Sequence, residues 1–339
     1  MNQQQTRTIL YGDVTYPDPS VEDEVYGGRA RVVMPGTEAV ADVADDDAAA
    51  ADGLMVFRSW VTARDLDRMP RLRALVRMGV GYDRVDRAAC AARGVVVCNV
   101  PDYGTMEVAD HALALTLALR RGIALHHDAQ RRATPAGWLE IESPLVRRLS
   151  VQTFGIVGLG RIGTAAALRA KAFGFRVVFF DPALPNGVDR ALGIERARTL
   201  DELLARSDVL SLHVPLTPAT RGLIGAAELA RLPDGAILVN TARGPVVDLD
   251  AVAAALRSGR LAGAGLDVLP QEPPDQSPPA LLAAYRAREA WLEGRLIVTP
   301  HIAFHTPEAW ADIRRKGAET MAAALFSNQP QNLIDPAEP

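Results

Sequence analysis

A chain of 339 residues, 48% hydrophobic and 23% charged, has the length for two domains and the composition of an ordinary globular protein. Its formal charge of −4 gives no electrostatic case for nucleic acid as main partner, and Cys90 and Cys98 make neither a metal cluster nor a disulfide framework. The opening MNQQQTRT lacks a leader pattern, and the most apolar helical run, His111 to Leu119, stops at Arg120 and Arg121 before it spans a bilayer. The expectation is a cytoplasmic protein with no metal and no membrane partner.

In chain order, TILYGD, ARVVMPG, LMVFRS, LRALVRMG and GVVVCNV read as strands or strand edges within the first 101 residues. Helices are expected between them at Val40 to Ala51, where Asp45 to Asp47 make a solvated face, and at Ala63 to Met69. A long helix starts near Thr105, a candidate cap, with Val108, Ala112, Leu115 and Leu119 on one face. A basic, irregular stretch follows (RRATPAGW), and then a cleaner series begins at Gln152. FGIVGLG, RVVFFD, VLSLHVP, AILVNTA, GAGLDV and LIVTPH are six short strands, with helices such as IGTAAALRAKAFG, LDELLARS and DLDAVAAALRSG between most of them. Six strands so spaced match the doubly wound dinucleotide fold. PQEPPDQSPP is a proline-rich loop before the helical segment ALLAAYRAREAWLEG. The alternation predicts two α/β domains with parallel sheets, packed across a cleft.

GLGRIG places Gly158, Gly160 and Gly163 in the G-x-G-x-x-G spacing, between a buried strand and a helix. In that context Gly158 permits the tight turn, Gly160 the close approach of a pyrophosphate and Gly163 the helix–strand packing. Twenty-three residues after Gly158 the next strand ends in Asp181, placed to accept from ribose hydroxyls and to repel a 2′-phosphate. No arginine or lysine follows until Arg190, so the spacing favours NAD over NADP.

Arg243 follows AILVNTA, Asp267 follows GAGL with Glu272 beyond it, and His301 follows LIVTP. All stand at strand C-terminal ends, where open α/β sheets bind ligands. Hydride transfer from an alcohol carbon needs a proton acceptor, which a histidine oriented by a carboxylate provides. An arginine can grip a substrate carboxylate with its fork and polarise the neighbouring carbonyl. Each residue alone is ordinary; together, in one cofactor domain, they spell one chemistry.

Over nearly its full length the chain resembles the D-isomer-specific 2-hydroxyacid dehydrogenase family, through VGLGRIG, HVPLTPATRGLI, LVNTARGPVVD, GAGLDV with QEPP, and TPHIA. The resemblance implies Arg243, Glu272 and His301 as catalytic residues, and Asp267 as a contact to the nicotinamide carboxamide. It implies further cofactor contacts from Val80, Thr105, Arg161, Ile162, His213, Val214, Pro215, Thr220, Thr241 and Ala242, besides Arg243 and His301. Within the family the C-terminal-binding-protein branch is most similar, through VRMGVGYDRVD, VCNVPDYGTMEVADH and LRAKAFGFRVVFFDPALPNGVDRALG. That branch implies Arg77 as an extra contact to the substrate carboxylate, with backbone amides near Gly79 and Val80. Phe304 stands where the branch has tryptophan, the interval from Glu272 to His301 is longer, and LIDPAEP carries no long tail. His126 and His127 are given no site role, His305 is read as a surface residue ahead of one at the cleft mouth, and Tyr103 and His111, in the hinge segment, are read as packing residues at least as readily as substrate neighbours.

The expected protein is an NAD-dependent dehydrogenase interconverting a 2-oxo acid and a D-2-hydroxy acid. It has a Rossmann-type NAD domain (102–304) inserted in a flavodoxin-like substrate domain (1–101 and 305–339), and the family suggests a homodimer. The alternatives are an NAD(H)-responsive corepressor-like scaffold, or a dehydrogenase of phosphite or a sugar acid.

Overall fold

The computed structural model describes residues 6–132, 137–327 and 329–336, so the middle half of RRATPAGW lies outside the described residues. The chain divides into two compact units, 1–104 with 305–339, and 105–304.

In the first unit five parallel strands, β1 (Arg7–Tyr11), β2 (Ala30–Val33), β3 (Gly53–Val56), β4 (Ala74–Arg77) and β5 (Val96–Asn99), lie in the order β2-β1-β3-β4-β5. β3 is buried at every position, which fits its near-continuous apolar sequence, since a parallel sheet is covered on both faces. Helix Pro307–Phe326 returns to this unit and buries Ala309, Ile313, Ala318 and Met321. The helix expected from Val40 to Ala51 is broken instead. A short 3-10 turn, Val40–Asp42, and helix Asp45–Ala50 flank extended Val43, and the break lets both Val40 and Val43 enter the core.

The second unit carries β6 (Thr153–Val157), β7 (Arg176–Phe180), β8 (Glu195–Arg196), β9 (Val209–Leu212), β10 (Ala236–Asn240), β11 (Leu261–Leu266) and β12 (Leu296–Val298). All pair in parallel in the order β12-β11-β10-β9-β6-β7-β8. The sequence reading counted six strands; the seventh, β8, is two charged residues long and shows no apolar run. From β6 the chain winds outward through β7 and β8, then crosses to β9 and winds the other way. The direction switches between β6 and β9, where doubly wound sheets leave a ligand crevice.

Helix Thr105–Arg120 buries Ala112, Leu115 and Leu119, whereas Val108 is half-buried. Thr105 is its first residue and not its cap. Helix Ile123–Arg132 follows it, unforeseen because it buries none of its side chains and so displays no apolar face.

Candidate active site

β6 ends at the switch point in Gly158, whose φ of +86° favours glycine and whose N–H donates to Phe180 O at 2.9 Å. A Cβ on Gly163 would lie 2.1 Å from Gly158 O, so helix Arg161–Ala172 seats directly on the turn. Gly160 is a different case. Its φ of −73° and ψ of −157° suit any residue, and beyond its own chain neighbours no described atom lies within 4 Å of its would-be Cβ. The vacant room faces the helix N-terminus, where backbone N–H groups collect anions. Arg161 is exposed there and Ile162 half-buried.

Asp181, just past β7, is braced on both sides. Its carboxylate accepts from Leu159 N and Ala183 N, each at 2.9 Å, which ties the glycine turn to the acidic strand end. Arg196 donates to the carbonyls of Asp181 and Leu184, at 2.8 Å each. Across the switch, His213 N bonds Val157 O at 2.8 Å, and its Nε2 lies 2.9 Å from Ser211 Oγ. Burial pushes the His213 imidazole down to about 4, so it is neutral at physiological pH. Val214 beyond it is half-buried and Pro215 exposed; Thr220 closes the loop by donating to Pro215 O at 2.6 Å.

The second cluster stands where the neighbouring strands β10, β11 and β12 end on one edge. Buried Asn240 shapes the first turn: its amide donates to Arg243 O and accepts from Ala242 N, both at 3.0 Å. Thr241 Oγ1 is buried beside it with no hydrogen-bond partner among the described residues. Arg243 Nη1 donates to Ala242 O at 2.8 Å. A Cβ on Gly244 would fall 2.1 Å from Leu269 O, so this turn rests on the loop that carries Glu272.

Glu272 accepts from Leu269 N at 2.9 Å and meets His301 Nδ1 at 2.6 Å. A carboxylate only accepts, so Nδ1 donates in this pair and Nε2 is the ring nitrogen that lies outside it. His301 sits at φ +54°, and its N–H donates to Asp267 O at 2.7 Å. Asp267 is 1% exposed, and its carboxylate accepts from Thr299 Oγ1 (2.6 Å), Ile302 N (2.9 Å) and Ala303 N (3.0 Å). The buried Phe304 presents its ring edgewise to His301, 6.4 Å between centroids.

In the first unit, Arg77 closes β4 and folds over its own turn. Arg77 Nη1 would lie 1.5 Å from a Cβ on Gly79, a contact the flexible guanidinium can vacate, and it is the φ of +146° that favours glycine here. Asn99 Nδ2 donates to Val80 O at 2.7 Å and holds that turn.

The structure therefore brings Arg243, Glu272, Asp267 and His301 to one edge of one sheet, and Gly158, Gly160, Gly163, Asp181 and His213 to its switch point. Sequence reading missed Asn240 and Thr299, polar residues at the ends of apolar strands whose only signal was that position. Among the described residues no helix is long and apolar enough to cross a membrane.

The turn, the braced acid and the open room beside Gly160 define a dinucleotide-binding α/β domain with a hydrogen-bonded Glu272–His301 pair at its C-terminal edge. The chain belongs to the D-isomer-specific 2-hydroxyacid dehydrogenase family: the model of that family's NAD-binding domain matches residues 113–303, more than half of the chain. The chain is 42% identical over 276 residues to a D-3-phosphoglycerate dehydrogenase of Mycobacterium leprae, covering 81% of this chain and 49% of that one. To the D-3-phosphoglycerate dehydrogenase of Methanocaldococcus jannaschii it is 33% identical over 288 residues, covering 84% and 52%. It thus spans about half the length of these curated relatives. The crystal structure of D-lactate dehydrogenase from Aquifex aeolicus, complexed with NAD and lactic acid, matches at TM-score 0.84 and 29% identity, over 97% of this chain and 99% of that one.

Proposed function

We propose that the chain interconverts a 2-oxo acid and a D-2-hydroxy acid with NAD, and that the 2.6 Å pair of Glu272 and His301 carries the acid–base step. The cradle fits the cofactor on two counts: the space at Gly160 belongs to no atom of the chain, and Thr241 has a buried hydroxyl still to be satisfied. Bound NAD(H) supplies or accepts the hydride. The chain's own residues do the rest. His301 Nε2 gives the proton to the carbonyl oxygen in reduction and takes it back in oxidation; Glu272 stabilises the imidazolium and fixes the ring. Arg243 grips the carboxylate and polarises the carbonyl, an electrostatic role that grows as negative charge develops on oxygen.

The other assignments follow the same reading. Asp181 receives the ribose hydroxyls, while Gly158 to Gly163 and the loop from His213 to Thr220 flank the diphosphate and nicotinamide ribose. Thr105, Ala242 and Asp267 complete the cofactor contacts. Arg77, the amides at Gly79 and Val80, and Phe304 bind the substrate, which makes the first unit the substrate domain. The chain works in the cytoplasm as a homodimer. The support for a dimer is the helix Ile123–Arg132, which buries no side chain, and exposed Ile123, Trp138, Leu139 and Val151 around it. Ten residues of helix do not persist on propensity alone.

The test is NADH oxidation by the purified protein against 2-oxo acids, and NAD reduction with D-3-phosphoglycerate, D-lactate and glycolate. Turnover that disappears in Arg243→Ala and His301→Ala supports the reading. Tight NADH binding with no turnover of any oxo acid, sugar acid or phosphite would replace it with the NAD(H)-responsive scaffold of the C-terminal-binding-protein branch.

A further inference from the structure

We infer that His111, on the long helix Thr105–Arg120, is a positioning residue for the acid–base pair, acting through Thr299 and Asp267. The inference rests on the catalytic reading of His301 proposed above. His111 Nε2 lies 3.0 Å from Thr299 Oγ1, which lies 2.6 Å from Asp267 Oδ1. The direction of this chain follows from the atoms alone. Asp267 as a carboxylate can only accept, so the single hydroxyl proton of Thr299 goes to Asp267. Thr299 Oγ1 must then accept from His111, and His111 carries its proton on Nε2. The imidazole also stands 3.8 Å from Asp267 Oδ1 directly.

What the chain holds is the loop of His301. Asp267 spends its carboxylate on Ile302 N and Ala303 N, and its own carbonyl takes His301 N. Those three bonds bracket a residue at φ +54°, a backbone region that a histidine enters only when its surroundings impose it. Asp267 is the clamp that imposes it, and the clamp is oriented from behind by Thr299 and His111. Without the donor, Thr299 is free to turn, the carboxylate loses its alignment on the two amides, and the ring of His301 drifts from Glu272. A misplacement near 1 Å at such a point costs rate without removing any reacting group.

Four variants test it: His111→Leu and Thr299→Val break the chain, while His111→Gln and Thr299→Ser keep a donor at similar reach. In the apo protein, Ile302 and Ala303 amides are expected to exchange about ten-fold faster in the two breaking variants and near the wild-type rate in the two conservative ones. In turnover, the breaking variants lose about 10²-fold in kcat with KM for the oxo acid little changed, and the conservative variants recover most of it. Wild-type exchange and kcat in His111→Leu overturn the inference. So does a His111→Gln chain as impaired as His111→Leu, because that marks a packing role. The exchange arm needs no substrate: an absence of turnover in the wild type defeats the catalytic reading, and unchanged amides defeat the clamp.

Discussion

The two ends of the seven-stranded sheet use charge with different emphasis, although Arg196 also feeds the carbonyls of Asp181 and Leu184 at the C-terminal end and Asp208 accepts from Thr153 N at the other. At the strand N-termini, arginines feed backbone carbonyls. Arg120, 1% exposed, donates to the carbonyls of Pro144, Asp208 and Gly235, and Arg295 to those of Leu256, Leu261, Ala262 and Trp291. At the C-termini, carboxylates collect backbone N–H groups: Asp181 from Leu159 and Ala183, Glu272 from Leu269, Asp267 from Ile302 and Ala303. The arginine end is closed on itself. At the carboxylate end, each acid shapes a loop, and Glu272 also meets His301 Nδ1. On the proposed reading, one end of the sheet holds the domain together and the other arranges the chemistry.

Separating stability from activity is the way to break this contrast. His301→Ala, at the carboxylate end, is expected to lower kcat/KM by about 10³-fold, on the order of 4 kcal/mol, with urea unfolding nearly unchanged. A comparable loss of stability would erase the distinction. Arg120→Met, at the other end, should cost about 3 kcal/mol in urea unfolding, since three partly buried carbonyls lose the donor of a buried guanidinium, while kcat per folded molecule stays at the wild-type value. Burial also pushes the Arg120 guanidinium down to about 10, which still leaves it charged at neutral pH.

His213 sharpens the comparison through pH. Its imidazole is held near 4, below its ordinary value, so the unfolded chain takes up the proton first on acidification. The stability it leaves intact above pH ~6.5 is therefore lost as pH falls towards 4, on the order of 2 kcal/mol, and His213→Gln should flatten that limb of the urea midpoint. The smallest effect belongs to the sheet's edge strand. Arg176 and Arg206 hold the Glu195 carboxyl down at about 2, yet all three side chains meet solvent, so Glu195→Gln should shift unfolding by under ~0.5 kcal/mol. A larger shift would mean that charge alone, without burial, stabilises this sheet.

Much of the candidate site's geometry was legible because its residues lie in short, local runs. Gly158, Gly160, Gly163 and Asp181 lie in a single strand–helix–strand passage, and Arg243, Glu272 and His301 each follow an apolar strand. The parts that stayed hidden depend on partners far along the chain. Arg120 reads as the polar stop of an apolar helix, but its carbonyl partners lie 24, 88 and 115 residues away. Asp267 was expected as a contact to the nicotinamide carboxamide; its carboxylate also accepts from loop amides 35 and 36 residues downstream, which no local run announces. β8 and helix Ile123–Arg132 were missed for a third reason. Two charged residues form the one and no side chain is buried in the other, so neither carries a hydrophobic period.

Gly160 has a use in a living cell. Since neither the backbone nor any neighbour requires a glycine there, Gly160→Val should accumulate to the same level as its parent and escape proteolysis, yet present a plugged cradle. Most damaging alleles confound a lost ligand with a lost protein. An allele at position 160 would report occupancy alone, and so tell whether a cell needs this chain loaded or merely needs it present.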